Sequence, residues 1–169
     1  MSEQPLVVEI TDRQSAEGQL ETAIVLWFLE KDISSIHTLA VAAQGVLNQM
    51  CKEKRIGPSQ IVEIINKDPS KKELREPQNF LKHGTDRNSK YKGFLVDCIS
   101  MYARLFDTPT PLMNLFALRY WLFNPKAFPM QIASKGIKIE DLRKFSRPDF
   151  LEKVLPRLRV QIGKISPPN

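Results

Sequence analysis

The segment DISSIHTLAVAAQGVLNQMCKEKR, residues 32–55, carries the clearest structural signal in this 169-residue chain. Its apolar residues recur at three- and four-residue spacing, the period of an amphipathic α-helix. They are Ile36, Leu39, Ala40, Ala43, Val46, Leu47 and Met50. Ser34 or Ser35 can accept hydrogen bonds from the N–H groups of the first turn, so either is a candidate N-cap. The basic last turn and the Gly57-Pro58 pair that follows predict the end of this helix.

Helical patterns continue on both sides of this segment. Residues 12–31 contain a nearly continuous apolar run, which predicts a central helix capped by Asp12 or Ser15. Further helices are predicted at 58–67, 77–84, 94–107, 111–123, 126–134, 139–146 and 148–160. Pro156 is expected to kink or end the last of them. No segment shows the sustained alternation of a half-buried strand.

The predicted fold class is therefore all-α, a helical bundle of about six to nine helices. Residues 1–11 form a short extended arm in this prediction, with at most a short strand at LVVEI, residues 6–10. The chain is expected to be a single domain, residues 1–169. Its core bundle would span about 12–123, and a helical C-terminal extension would span about 124–169.

Composition narrows the class of protein. Hydrophobic residues make up 42% of the chain and charged residues 26%, values typical of soluble globular proteins. The longest apolar run, residues 23–29, is too short to span a bilayer. The two cysteines, Cys51 and Cys98, form no CxxC pair, and two widely separated histidines add no metal-ligand spacing. We therefore expect a cytoplasmic protein with no metal, no cofactor and no membrane contact.

The net charge of +6 is unevenly distributed along the chain. Residues 1–50 carry seven acids and two bases, whereas residues 51–92 carry eleven bases and six acids. Residues 93–169 carry twelve bases and six acids. A basic body favours an anionic partner such as RNA, although lysines scattered over solvated helix faces would give the same totals.

The segment REPQNFLKHG, residues 75–84, contains the main candidate ligand-binding residues. Asn79 precedes His83 by four residues, so the two side chains share a helix face. Lys82 is adjacent, and Arg75 or Arg87 could reach the same pocket. This group could bind phosphate or donate a proton to a leaving oxygen. Alternatively, Asn79 and His83 hold the following loop against the bundle.

His37 is a further candidate catalytic residue, besides Asn79 and His83. It lies in the first turn of its predicted helix, where the positive helix end disfavours the imidazolium form. A neutral imidazole there could act as a general base. The alternative is a structural histidine hydrogen-bonded to a neighbouring helix.

Asn79-Phe80-Leu81-Lys82-His83, on a predicted helix within an α-bundle, resembles the signature region of HEPN domains. These domains are helical bundles common in prokaryotic defence, toxin–antitoxin and RNA-processing systems. The resemblance covers this motif and the helical architecture over roughly residues 12–107. The pairing of SIHTLAVAA with NFLKH also resembles an uncharacterised bacterial protein family.

The HEPN resemblance carries expectations about the site. Active HEPN ribonucleases have an arginine shortly before the histidine, often followed directly by a polar residue. With the pattern aligned on His83, Asn79 takes the polar place and Gln78 takes the place of the arginine. Seven residues separate Arg75 from His83, and Arg75 precedes Pro77. HEPN-like domains that lack the full pattern are expected to bind or dimerise rather than cleave.

Three functions remain open on these residues. The first is a non-catalytic HEPN-like module that binds RNA or a protein partner through a small polar, basic site. The second is a metal-independent ribonuclease that uses His83, with or without His37, through attack by the RNA 2′-hydroxyl. The third is a helical interaction protein with no role in nucleic-acid binding.

The sequence also predicts a homodimer. The small residues from Ala40 to Gly45 would permit close helix contact. The aromatic segment 112–123 offers more apolar area than one small core easily covers.

Overall fold

The computed structural model describes residues 9–57, 67, 90–123 and 139–165. Within these residues the secondary structure is entirely helical, so the predicted all-α bundle is confirmed. The helices are α1 (Asp12–Phe28), α2 (Ile33–Glu53), α3 (Lys90–Phe106), α4 (Pro111–Phe123), α5 (Ile139–Lys144) and α6 (Arg147–Ile165). The helices predicted at 77–84 and 126–134, nearly all of that at 58–67, and arm residues 1–8 lie outside the described residues.

The first two helices begin at N-caps other than those predicted. Thr11 caps α1, because its hydroxyl accepts from the Gln14 N–H at 3.2 Å while the Gln14 side chain accepts from the Thr11 N–H at 3.0 Å. Asp32 caps α2, and its carboxylate accepts from the Ser35 N–H at 2.7 Å. The predictions of Asp12 or Ser15, and of Ser34 or Ser35, were wrong because the capping side chain lies just before each first turn.

Helix α2 also ends differently from the prediction. Arg55 adopts the left-handed conformation just after the helix, with φ of 55°. The Ile56 N–H then donates to the Cys51 carbonyl at 2.8 Å, and partly buried Ile56 packs against the core. These are the hydrogen bond and the apolar contact of a Schellman motif. The motif explains why an arginine holds a position that glycine commonly takes.

Contacts between side chains give the directions of the first three helices. Residues 29–32 join α1 and α2, which pack against each other. On α3, Phe94 lies against His37, and the Cys98 thiol lies 3.8 Å from the Ala40 carbonyl oxygen. Both pairs advance in the same direction, so α2 and α3 run parallel. The Tyr102–Glu17 and Phe106–Arg13 contacts advance in opposite directions, so α1 and α3 run antiparallel.

An aromatic cluster connects α1 to the later helices. Phe28 is fully buried, and its ring lies 6.4 Å from that of Phe116 on α4 and 6.1 Å from that of Phe150 on α6. Trp27 meets Phe116 edge to face at 4.8 Å between ring centroids. One hydrophobic core therefore includes residues of α1, α4 and α6.

The C-terminal helices α5 and α6 cover 139–144 and 147–165, against predictions of 139–146 and 148–160. Pro156 was expected to kink or end this helix; it lies inside α6 and therefore does not end it. Pro156 is exposed, whereas Phe150 and Val154 on the opposite side are buried. The buried face therefore keeps its packing, although proline removes one backbone donor from the helix.

The two surfaces that suggested a homodimer are partly buried inside the chain, and in the small-residue patch Ala42 and Gly45 stay exposed. Ala40 and Ala43 are buried in the core. Helix α4 buries most of its apolar side chains in the same core. Phe123, at the end of α4, remains 56% exposed. None of the described helices combines the length and the apolar character needed to cross a membrane.

Candidate functional site

The predicted polar site around His83 falls outside the described residues. This applies to all five candidate ligand-binding residues, which are Arg75, Asn79, Lys82, His83 and Arg87. The grouping of these side chains therefore stays a prediction. His37 is the candidate for chemistry that the structure describes.

His37 lies on α2 at its contact with α3. His37 is only 2% exposed, and its ring stacks on that of Phe94 with 6.3 Å between centroids and 25° between planes. Burial lowers the pKa of the imidazole, because the charged ring would lose its hydration. His37 is thus held neutral inside the bundle, where a large substrate does not reach it.

Two further buried polar groups lie on α3 within four residues of Phe94, the ring that covers His37. Asp97 is 3% exposed and precedes Cys98, which is fully buried. Burial raises the pKa of the Cys98 thiol well above its ordinary value, and the charge of Asp97 raises it further. The thiol therefore stays protonated and is a poor nucleophile. Among the described side chains, no group of three or more His, Cys, Asp or Glu residues could hold a metal ion.

The burial of His37 predicts a pH dependence of stability. In the unfolded chain its imidazole titrates near 6.5, whereas in the folded chain its pKa is lower. Below 6.5 the unfolded state therefore binds more protons, and stability falls as the pH falls toward the folded-state pKa. Thermal unfolding from about pH 7.5 to about pH 5.5 should show this loss, since histidine titrates in that range.

The matched variant for this measurement is His37→Gln, which keeps a neutral polar side chain and cannot titrate. We expect a smaller loss of melting temperature across the same pH range in this variant. An unchanged loss would assign the pH dependence to another group.

A second polar cluster lies between the start of α1 and the end of α3. The buried Tyr102 hydroxyl donates to the Glu17 carboxylate, which also pairs with Arg13 at 3.8 Å. Burial raises the pKa of the Tyr102 phenol, and its bond to Glu17 raises it further. The Arg13 guanidinium lies 4.7 Å from the centre of the Phe106 ring, and the Lys54 ammonium lies 5.5 Å from it. These contacts join α1, α2 and α3. They give Arg13 and Lys54 a role in holding these helices together.

Three arginines of the C-terminal half bind carbonyl groups at helix ends. Arg119 on α4 donates to the Leu142 and Phe145 carbonyls at 3.2 and 2.8 Å, at the end of α5. Arg143 donates to Leu122 O at 2.9 Å, near the end of α4. Arg147 donates to Trp27 O at 3.1 Å, near the end of α1, and pairs with Glu30 at 3.0 Å.

Each of these arginines donates to carbonyls at or near a helix end and brings positive charge to the negative end of a helix dipole. The Trp27 carbonyl also accepts from the Glu30 N–H at 3.2 Å, so Arg147 is its second donor. Arg119 is itself 7% exposed. Burial lowers the pKa of its guanidinium, and the nearby charge of Arg147 lowers it further. The three side chains are thus positioned for structure rather than for chemistry on a ligand.

Sequence reasoning identified His37 but missed Asp97 and Arg119. Asp97 follows Phe94 by three residues and so falls on the apolar face of α3. An acid at such a position is a signal for a buried carboxylate. Arg119 interrupts the apolar run of α4 in the same way. Comparison with protein-family models, with curated proteins and with solved structures found no match to this chain.

Proposed function

We propose that this chain is a non-catalytic, HEPN-like helical module that binds RNA. The observation that carries the non-catalytic part of the proposal is the burial of His37 at the α2–α3 contact, and the net charge of +6 favours an anionic ligand such as RNA. Metal-independent cleavage of RNA needs groups that accept and donate protons at the reacting phosphate. With one of the two histidines of the chain held neutral in the core, His83 would have to act without a histidine partner.

The sequence around His83 supports binding over cleavage in a second way. Gln78 stands where the HEPN resemblance implies an arginine. A cation that stabilises the charge of the transition state is the main electrostatic contribution to such a reaction. Arg75, Lys82, His83 and Arg87 would still attract an anionic ligand, and Asn79 would orient the imidazole.

The decisive experiment compares the wild type with His83→Ala and Gln78→Arg in RNA binding and in RNA cleavage without added metal. We expect the wild type to bind RNA without cutting it, and His83→Ala to bind more weakly while remaining helical. Removal of one charge-assisted hydrogen bond corresponds to a roughly tenfold weaker Kd. Circular dichroism checks the fold of each variant.

His37→Gln provides the matched control, because it removes the other histidine from a buried position. It should leave RNA binding unchanged. Cleavage by the wild type that disappears in His83→Ala would establish the ribonuclease alternative. Unfolding of His83→Ala would assign a structural role to this histidine, and absence of RNA binding by the wild type would refute the proposal.

The homodimer stays part of this proposal, through the parts of its two candidate surfaces that the chain leaves exposed: Ala42 and Gly45 on α2, and Phe123 on α4. Ala40, Ala43 and most of α4 pack inside the chain. Phe123 is an exposed aromatic residue that a partner could cover. Sedimentation that finds only monomer at high micromolar concentration would remove the homodimer.

A further inference from the structure

The exposed surface of α6 becomes basic after Glu152, the last acid of the helix. Residues 153–165 contain four bases and no acid. Three of the bases lie in the part of α6 whose side chains are described, and all three are exposed: Lys153, Arg157 and Arg159. Lys153 and Arg157 are four residues apart and lie side by side, whereas Arg159 lies about 200° around the helix from Arg157, at the other edge of the exposed surface. We call these three residues together the α6 basic face.

Arg157 and Arg159 differ from the arginines that hold the bundle together. Arg119, Arg143 and Arg147 each donate to backbone carbonyls, and Arg13 pairs with Glu17. By contrast, neither Arg157 nor Arg159 forms an ion pair or side-chain hydrogen bond with another described residue. Their charges are therefore not explained by contacts within the described part of the chain.

The placement of these charges does not stabilise α6 itself. Lys153 and Arg157 are four residues apart, and like charges at that spacing destabilise a helix by a few tenths of a kcal/mol, about 0.2–0.5. Asp149 offsets the charge of Lys153 at 3.9 Å, but the position four residues after Arg157 is Gln161. Arg157 and Arg159 also precede the last turn of α6, so the helix dipole contributes little to holding them.

The packing of α6 restricts what kind of partner could bind there. A helix that lies on a membrane inserts its apolar face between lipids. The apolar face of α6 is occupied, since Phe150 and Val154 are buried in the core. A stable protein interface usually has aromatic or other apolar residues at its centre. On the outer face, Val160 is the exposed large hydrophobic residue among the described side chains, at 59% exposure.

A phosphate backbone needs only positioned cations, because affinity for it comes mainly from Lys and Arg that displace counterions. We propose that the α6 basic face contacts the phosphate backbone of bound RNA. This inference rests on the proposed RNA-binding function and adds a surface that the motif around His83 does not include.

The test is the double variant Arg157→Gln/Arg159→Gln in a gel-shift titration with single-stranded RNA. The matched control is Lys52→Gln/Arg55→Gln, which removes the same charge from exposed residues at the end of α2. Titrations at about 50 and 200 mM salt give the salt dependence of binding, whose slope falls by about 0.7 for each phosphate of a single strand that the protein no longer neutralises. Circular dichroism verifies that both variants remain helical.

We expect the α6 double variant to bind about tenfold more weakly at about 0.1 M salt and to have a shallower salt slope. The control variant should stay close to the wild type. Equal behaviour of the two variants would overturn the inference while leaving RNA binding by the wild type intact. If the wild type binds no RNA, the proposed function itself fails.

Two further probes identify the ligand. Because phosphate contacts do not distinguish RNA from DNA, the α6 double variant should lose a similar factor in binding single-stranded DNA of the same sequence, and a loss confined to RNA would overturn the assignment to the phosphate backbone. Vesicles with anionic headgroups should not bind, and vesicle binding that depends on Arg157 and Arg159 would replace RNA with a membrane surface.

Discussion

Replacement of Phe28 by alanine should lower the free energy of unfolding by about 3–5 kcal/mol. Phe28 is fully buried and contacts aromatic rings on three sides, those of Trp27, Phe116 and Phe150. Removal of its ring leaves a cavity between α1, α4 and α6, and these rings lose both buried area and edge contacts. A loss of this size is a large part of the stability of a typical domain. Urea denaturation followed by circular dichroism measures it.

Phe123→Ala is the matched control for this prediction, because it deletes the same side chain from an exposed position. Phe123 is 56% exposed, although the Arg119 guanidinium lies 4.6 Å from the centre of its ring. We expect a loss of about 1 kcal/mol or less. Similar losses for Phe28→Ala and Phe123→Ala would mean that the aromatic cluster does not organise the core.

Arg119→Met should destabilise the protein by about 2–4 kcal/mol. Methionine fills much of the space but donates no hydrogen bond, so the Leu142 and Phe145 carbonyls lose the partner that they share. The stacking of Arg119 on Phe150, at 4.9 Å from the ring centre, is lost as well. Urea denaturation gives the total loss, and hydrogen exchange of α5 amides should show faster local opening.

Arg119→Lys tests whether the fork shape of the guanidinium matters. Lysine keeps the charge, but its single ammonium cannot reproduce the geometry of two separate N–H groups. We expect Arg119→Lys to lose more than half as much stability as Arg119→Met. Arg157→Met, at an exposed position of α6, should change stability by less than about 0.5 kcal/mol. Wild-type stability in Arg119→Lys would mean that charge alone accounts for the effect.

The sequence predicted the helices better than their ends. The bounds of α4 were predicted at 111–123 and observed there, because Pro111 fits the first turn and the apolar run is continuous. The ends of α2 were misplaced, because several residues could serve as caps by residue type alone. The choice of Asp32 and Arg55 depends on which side chain reaches the free backbone groups and on the packing of Ile56. Tertiary contacts supply that information.

Of the buried polar residues, His37 was predicted as a candidate and Asp97 and Arg119 were not, for a similar reason. The sequence placed His37 in a first turn and so predicted a neutral imidazole, but α2 begins at Ile33 and His37 lies in its second turn. The pKa is lowered as expected, and burial is the cause. Spacing along one helix cannot reveal that α3 covers this ring. Asp97 and Arg119 escaped notice because apolar stripes predict a core without identifying the polar residues that it will enclose. The grouping around His83 remains a prediction from spacing.

The bond from Arg147 to the Trp27 carbonyl has a consequence for how the chain is made. It joins residues 120 positions apart, and Phe150 completes the aromatic cluster around Phe28 from the same end of the chain. During synthesis α1 leaves the ribosome long before α6 has been made. The apolar surfaces of Phe28 and Phe116 therefore stay partly uncovered until Phe150 is added. Until α6 has been made, this exposed apolar surface would favour aggregation of the nascent chain.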